Sequence, residues 1–309
     1  IPKRDWSSDV CSSDLGGAIV MSEEGVQTTV SVVGPMGGRV LYLDGQHQAD
    51  DNGAMVFVHR RIGLLPMVLH PHPKRALAVG LGGGVTPGAM SQYPGIDVDV
   101  VELSEGVIHA APYFNYVNFD VLKQPNVHVR ADDGRNYLLR TRVPYDIITA
   151  DAIIPTHAGA NNLYSLDYFR LVRDALAPDG VALHWNGGAT DAEYKLILSA
   201  FVNAFPNATL WGDGTLMIGT KQPLTVSRQR IEALLADPRG LNAMTLMQAG
   251  SFDLLVRMFR ASPADIKAYL GNAAPLRDDR PSIEYFATLP PTARDLSTLG
   301  RTLTGIIQP

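Results

Sequence analysis

The sequence is poor in cysteine, in long apolar runs and in positive charge. Its 309 residues include one cysteine, Cys11, which excludes disulfides within the chain and metal or iron–sulfur sites built on paired cysteines. No run of about 18 uncharged apolar residues occurs, so no membrane-spanning helix is predicted. With 26 basic and 31 acidic residues, the net charge of −5 argues against a nucleic-acid partner. We therefore expect a cytoplasmic protein.

The N-terminal segment differs from everything that follows. Residues 1–15 read IPKRDWSSDVCSSDL, repeat the tripeptide Ser-Ser-Asp and show no apolar periodicity. They resemble the translated adapter read-through that contaminates some assembled sequences, and we interpret them as a non-native tail; a natural disordered tail is the alternative. In the first case the native N-terminus is missing, together with any membrane tether that it carried.

The rest of the chain changes from short β runs to alternating strands and helices. Residues 16–70 are predicted to form a small β unit, with strands at 27–33 and 39–43, followed by a helix at 55–69. Residues 71–220 alternate helices with strands at 75–79, 97–101, 127–130, 145–150, 181–185, 208–211 and 215–219. Residues 221–309 form a C-terminal extension with short helices over 226–271. This pattern predicts an α/β fold with a mainly parallel, Rossmann-like sheet.

A glycine loop follows the first strand of this sheet, where ligands bind in open α/β folds. Gly80, Gly82 and Gly84 give the pattern GxGxG, in which glycines let the backbone approach a ligand beside a helix N-terminus. The dinucleotide pattern GxGxxG would need glycine where Val85 stands. The loop therefore favours an S-adenosylmethionine site over a dehydrogenase, with a plain tight turn as the alternative.

The next three strands end in acidic residues. Glu102 can accept hydrogen bonds from both hydroxyls of a ribose. Asp133, before Gly134, can accept a hydrogen bond from an adenine amino group, whereas its neighbour Asp132 is expected to be a turn or cap residue. Asp151 can orient or deprotonate a nucleophilic amine. The plainer interpretations are a solvated strand end for Glu102, an Asp-Gly turn for Asp133 and a helix or loop cap for Asp151.

Taken in order, these segments resemble the spermidine synthases, which are aminopropyltransferases. The resemblance extends from about Val26 to Thr220. It is closest to the spermidine-synthase domains that occur fused to membrane segments. It rests on LYLDGQHQ (41–48), RALAVGLGGG (75–84), VDVVELSEGVIHAAPYF (98–114), ADDGRNYL (131–138), YDIITADAIIP (145–155), NLYSLDYFRLVRDALAPDG (162–180) and DDRPSIEYF (278–286).

This resemblance implies the fold of S-adenosylmethionine-dependent methyltransferases and a homodimer. It also implies transfer of an aminopropyl group from decarboxylated S-adenosylmethionine to a small-molecule amine, without a metal. The cofactor-binding residues would be Gln27, Gly80, Gly82, Gly84, Glu102, Asp133 and Gly134. Gln48 and Tyr164 would contact the amine substrate, and Asp151 would be the general base.

Two positions depart from the family pattern. Gly83 and Ile154 stand where the family carries aspartates that hold the amine. A polyamine is cationic, so its pocket should be rich in carboxylates. Without an acid at position 83, the carboxylate of intact S-adenosylmethionine would meet less repulsion. The alternatives are therefore a methyltransferase that uses S-adenosylmethionine on another acceptor and a non-catalytic nucleoside-binding homologue.

Overall fold

The computed structural model describes residues 17–150, 154–285 and 288–308. The segment interpreted as a non-native tail and the predicted base, Asp151, lie outside these described residues. Within the described ranges, no helix combines the length and the apolar character needed to cross a membrane.

The N-terminal β unit is a four-stranded antiparallel sheet in which each strand pairs with the next. Asp44 and Gly45 join its last two strands with positive φ angles of 50° and 77°, as tight hairpin turns require. Gln27 lies in the exposed turn before the second strand, so the predicted start of that strand at residue 27 is two residues too early. The strands are β1 (Ile19–Glu24), β2 (Thr29–Val33), β3 (Val40–Leu43) and β4 (Gln46–Asp50).

A long helix, α1 (Gly53–Leu69), connects this unit to the central sheet and confirms the predicted helix. Asn52 caps it by accepting a hydrogen bond from the backbone N–H of Ala54 at 2.8 Å. At Gly63 the helix passes so close to the next one that an added Cβ would lie 2.7 Å from the carbonyl oxygen of Thr86.

The central sheet has eight strands in the order β13-β10-β11-β9-β8-β5-β6-β7. Strands β5 to β9 are parallel, whereas β11 runs antiparallel to β9 and β10 antiparallel to β11. This is the parallel-rich, methyltransferase-like sheet that the resemblance implies. Its strands are β5 (Arg75–Val79), β6 (Asp97–Glu102), β7 (Val127–Ala131), β8 (Tyr145–Ala150), β9 (Leu176–Trp185), β10 (Thr209–Trp211), β11 (Leu216–Thr220) and β13 (Phe259–Ala261); β12 (Val226–Ser227) and β14 (Ile307–Gln308) form a separate parallel pair.

Helices cover both faces of this sheet, and alternate residues of each strand point to opposite faces. On β5, for example, Ala76 and Ala78 belong to the core beneath α1, whereas Leu77 and Val79 belong to the core on the other face. The remaining helices are α2 (Val85–Met90), α3 (Glu105–Ala110), α4 (Asn115–Asn118), α5 (Gly134–Arg140), α6 (Leu166–Ala175), α7 (Asp191–Ala204), α8 (Arg228–Ala236), α9 (Pro238–Leu246), α10 (Phe252–Arg257) and α11 (Pro263–Leu270).

Two segments differ from the sequence prediction. The strand predicted at 181–185 begins earlier, at Leu176, so Pro178-Asp179-Gly180 lie inside β9, where the register slips between Leu176 opposite Tyr145 and Val181 opposite Ile147. A bulge tolerates proline and glycine, so the strand continues through them. Phe259–Ala261, expected within short helices, pairs with β10, and Phe259 packs edge-on against Trp211 at 5.3 Å between ring centroids.

Candidate active site

The glycine loop lies at the carboxyl end of β5, and three of its glycines have positive φ angles. These are Gly80 (93°), Gly82 (54°) and Gly84 (80°). At Gly84 a Cβ atom would also lie 2.8 Å from Val121 Cγ1. Gly83 differs, because its Cβ would make ordinary contact with the Phe114 ring at 3.5 Å. The turn therefore requires glycine at 84 but would accommodate a side chain at 83.

A buried asparagine holds this loop in place. Asn118 Nδ2 donates to the carbonyl oxygens of Gly83 and Ala111, both at 2.9 Å. Asn118 could not be predicted from the sequence, because it lies at the end of α4, far along the chain from the loop, and belongs to no motif.

Glu102 ends β6 and faces the glycine loop. Its Oε2 accepts a hydrogen bond from the Leu81 N–H at 2.8 Å, and its Oε1 accepts one from the Ser104 N–H at 2.9 Å. Burial raises the pKa of Glu102, and the hydrogen bonds from the backbone oppose this effect. A carboxylate fixed in this way keeps lone pairs with which it can accept ribose hydroxyls.

Asp133 and Gly134 follow β7 and begin α5. Asp133 caps the helix by accepting a hydrogen bond from the Asn136 N–H at 2.7 Å through Oδ1. Asp132, expected to be a turn or cap residue, lies in the bend before this cap, where it accepts a hydrogen bond from the Asp133 N–H at 2.9 Å and pairs with Arg140. At Gly134 an added Cβ would lie 2.6 Å from Val79 Cγ1, so this glycine lets α5 approach β5.

A cavity of about 850 Å³ lies at the same edge of the sheet. Its apolar wall includes Met55, Val58 and Ile62, which share one face of α1 at helical spacing, together with Ile154, Trp185 and Leu216. Its polar lining includes His47, Gln48, His59, Arg61, Asp213 and Arg294. Gln48 and His59 also line a smaller recess formed by Gly82, Gly83 and Val85 of the glycine loop. The cavity and the loop are therefore neighbours.

Strand order explains this arrangement. The glycine loop follows β5, Glu102 ends β6 and Asp133 follows β7, so these groups lie along one half of the edge. Ile154 follows β8, Trp185 ends β9 and Leu216 begins β11, so the cavity occupies the other half. The structure thus provides a place for a nucleoside next to a place for a second molecule.

Two of the predicted ligand residues do not line this cavity. Gln27 is exposed in the turn between β1 and β2 and does not line the cavity. Tyr164 is fully buried and packs edge-on against the His184 ring at 4.8 Å, within the core rather than on the cavity wall. Gln48, by contrast, lies on the wall, and its Oε1 is buried without a hydrogen-bond partner among the described residues.

The charges of the cavity lining are mainly positive. Arg61 and Arg294 contribute guanidinium groups, and Asp213 is the one carboxylate that lines the cavity among the described residues. The carboxylate-rich lining expected for a polyamine pocket is thus not found in this part of the chain. No sequence motif marks these three residues, which come from α1, the β10–β11 turn and the C-terminal segment.

The C-terminal DDRPSIEYF segment packs against the loop that follows β8. Arg135 donates to both carboxylate oxygens of Asp278, at 3.0 and 2.6 Å, and also to the carbonyl oxygen of Asn162. Glu284 accepts a hydrogen bond from the Asn161 N–H at 3.1 Å. The segment therefore braces residues 161–165, a short distance after the predicted base.

Comparison with known proteins relates these features to a family. A model of the spermine/spermidine synthase domain matches residues 55–204, which include most of α1, the glycine loop and Glu102. Over this span the chain is similar to the spermidine synthase family. The polyamine aminopropyltransferase of Nitrosomonas europaea is 27% identical over 302 residues, covering 91% of this chain and 90% of that protein.

Other relatives match over a shorter span. The polyamine aminopropyltransferase of Aeropyrum pernix is 31% identical and the spermidine synthase of Dictyostelium discoideum 32% identical, each over 148 residues. These alignments span about half the length of each relative, 47% and 50%. Among solved structures, the spermidine synthase of Thermotoga maritima has a TM-score of 0.64 at 21% identity, covering 82% of this chain and 87% of that one. A spermidine synthase in complex with the transition state analogue AdoDATO gives the same TM-score and identity.

Proposed function

We propose that the chain transfers an aminopropyl group from decarboxylated S-adenosylmethionine to an amine. One observation carries the proposal: the glycine loop with Glu102 lies beside the cavity, and Gln48 borders both. A nucleoside bound at the loop would present its sulfonium to an acceptor in the cavity. The names of the relatives support the same reaction.

Beyond positioning the two reactants, the protein needs to contribute little to this reaction. The amine lone pair attacks the aminopropyl carbon bonded to sulfur, the C–S bond breaks, and its electron pair stays on sulfur, so methylthioadenosine leaves. Because the sulfonium already activates this carbon, the residues need only align the reactants and remove a proton from the new ammonium. We assign nucleoside binding to the glycine loop, Glu102, Asp133 and Gly134, amine contact to Gln48, and proton removal to Asp151.

Substitution of the proposed base tests this assignment. Asp151→Asn should abolish turnover while the affinity for methylthioadenosine, measured by calorimetry, stays within about twofold of the unmodified chain. Asp174→Asn is the matched control, because Asp174 is exposed on α6 and pairs only with its neighbour Arg173 among the described residues. Turnover by Asp151→Asn would show that another group removes the proton.

A methyltransferase is the second candidate, and Gly83 is the observation that favours it. The site has no carboxylate at this position to repel the carboxylate of intact S-adenosylmethionine, although the backbone would accept a side chain there. Calorimetric titration with decarboxylated and intact S-adenosylmethionine separates the two reactions. Preference for the decarboxylated form supports aminopropyl transfer, preference for the intact form supports methyl transfer, and binding of neither supports a non-catalytic homologue.

The remaining expectations concern the setting of the reaction. A homodimer remains a prediction from the family resemblance, and a cytoplasmic location remains a prediction from the composition. A membrane tether remains a prediction for the case in which the native N-terminus is missing. Sedimentation of the purified chain at several concentrations tests the dimer directly.

A further inference from the structure

We infer that the acceptor amine also carries a carboxylate, which the Arg61 and Arg294 end of the cavity holds. The inference rests on the proposed function and specifies its acceptor as an amino-carboxylate instead of a diamine. It starts from the charges of the cavity lining, which are opposite to those that a dication would select.

Arg61 is fixed in place but keeps donors available. Its guanidinium stacks on the Phe57 ring, 3.8 Å from the centroid, and its Nε donates to the carbonyl oxygen of Met247 at 3.2 Å. Its two terminal nitrogens make no hydrogen bond to the described residues. A planar guanidinium held through Nε alone can still offer both of these nitrogens to a carboxylate.

Arg294 reaches the cavity from the C-terminal segment, which is tied to the start of α7. Ala293 forms a β-bridge with Thr190, and the Asp191 N–H donates to the carbonyl oxygen of Thr292 at 2.9 Å. The Arg294 guanidinium lies over the Tyr194 ring, 5.2 Å from the centroid. This anchoring orders a long cationic side chain before any ligand arrives, which reduces the entropic cost of binding.

One carboxylate, Asp213, is shared by both arginines, because it also acts electrostatically on the Arg61 guanidinium. Asp213 lies 4.0 Å from Arg294, and its Oδ1 already accepts hydrogen bonds from the backbone and the hydroxyl of Thr215. In the smaller recess Asp50 is likewise paired, at 3.0 Å, with His47. A second ammonium of a diamine would therefore face two guanidinium groups with one shared carboxylate between them, whereas a carboxylate would complete the charge pairing.

The cavity extends along enough of the sheet edge to hold an acceptor with two different ends. The strands that carry the glycine loop and the β10–β11 turn are β5 and β11, three spacings apart in the sheet order, which is roughly 14 Å. At the end near the loop, the buried Oε1 of Gln48 can accept an N–H from the reacting amine. The amine would thus lie beside Gln48 while its carboxylate extends towards Arg61 and Arg294.

The test compares two acceptors that differ only at the far end. The purified full chain is assayed for methylthioadenosine release from decarboxylated S-adenosylmethionine with 4-aminobutanoate or 1,4-diaminobutane, and each acceptor is titrated calorimetrically in the presence of methylthioadenosine. We expect 4-aminobutanoate to have the higher kcat/KM and the tighter binding. A preference for 1,4-diaminobutane in both measurements would overturn the inference and leave aminopropyl transfer intact.

Variants at the cationic end separate this inference from the reaction itself. Arg294→Gln should weaken 4-aminobutanoate binding about tenfold or more, with partial rescue by Arg294→Lys, because a charge-assisted hydrogen bond is lost. Arg173→Gln, which removes an exposed charge on α6, should leave binding unchanged. Arg294-dependent binding without turnover of either acceptor would support the carboxylate site and contradict aminopropyl transfer. Binding unaffected by Arg294→Gln, in a variant that melts like the unmodified chain, would overturn the site.

Discussion

The backbone N–H of Leu81, inside the glycine loop, donates to Glu102 Oε2 at 2.8 Å. The Ser104 N–H donates to the other carboxylate oxygen at 2.9 Å, so the backbone alone orients the carboxylate at the place proposed for the nucleoside. The same bonds tie the end of β6 to the loop after β5, which means that one side chain organises two parts of the candidate site. Because these groups are already ordered, ligand binding costs less conformational entropy.

Glu102→Gln should weaken methylthioadenosine binding about tenfold to a hundredfold. The amide NH₂ must face one of the two backbone N–H donors, and a hydrogen bond to a charged acceptor is worth about 1.5–3 kcal/mol. Calorimetry measures the loss. Glu105→Gln is the matched control, because Glu105 is exposed in the first turn of α3. Equal affinities for both variants would exclude Glu102 from the nucleoside site.

On acidification, the affinity for methylthioadenosine should begin to fall at a higher pH than it would if Glu102 had the pKa of an ordinary glutamate. Burial raises the pKa of Glu102 above its usual value near 4.3, so the carboxylate proposed to accept ribose hydroxyls is lost earlier as the pH falls. Protonation of Glu102 itself favours the folded chain, because the raised pKa lies in the folded state. As the pH falls, methylthioadenosine binding should therefore weaken, whereas protonation of Glu102 should stabilise the folded chain. A pH series of titrations checks this, and Glu102→Gln should flatten the profile.

Much of the fold follows from local sequence. Short runs with strand character, each ending at a glycine or an acid, marked β5, β6, β7 and β8 within a residue or two. Strands β5 and β8 are mostly apolar because parallel strands inside the sheet bury both faces, whereas the edge strand β7 is largely exposed. The helical spacing of Met55, Val58 and Ile62 marked α1. The strand-end rule then placed the glycine loop and Glu102 at one edge of the sheet.

The cavity could not be predicted in the same way. Arg61 and Arg294 meet there because α1 crosses the edge of the sheet and the C-terminal segment returns to α7. These are tertiary contacts between distant parts of the chain, and no local periodicity of the sequence predicts them. Tyr164 shows the converse: its segment matches the family pattern, but its side chain is buried in the core and packs against His184.

Gly84→Ala should lower the melting temperature and the free energy of unfolding, by about 2 kcal/mol. The residue has a φ angle of 80°, and an added Cβ would lie 2.8 Å from Val121 Cγ1 and 2.9 Å from Asn118 Nδ2. Gly83→Ala is the matched control one residue earlier. Its Cβ makes only ordinary contact with Phe114, so the free energy should change by less than about 0.5 kcal/mol. Equal destabilisation by both changes would contradict the described loop geometry.

Asp278→Asn should weaken the contacts between the C-terminal DDRPSIEYF segment and the loop after β8. Burial would raise the pKa of Asp278, but hydrogen bonds from Arg135 and Ser165 outweigh it, and the pKa is lowered. The ionised form is therefore favoured in the folded state, and its stabilising contribution is present above the unfolded pKa near 3.9 and is lost as the pH falls through the lowered value.

The expected loss at pH 7 is about 1 kcal/mol, a modest value because the pair is partly exposed to solvent. Urea unfolding from pH 7 down to pH 3 measures it, and the difference from the unmodified chain should be constant above about pH 5 and shrink below about pH 4. Asp279→Asn, at the exposed neighbour, should leave stability and turnover unchanged. Because the braced residues follow Asp151 closely in the chain, Asp278→Asn should also reduce kcat more than it changes methylthioadenosine affinity. If Asp278→Asn is destabilised but its kcat is unchanged, the contact between the C-terminal segment and the loop after β8 has a structural role only.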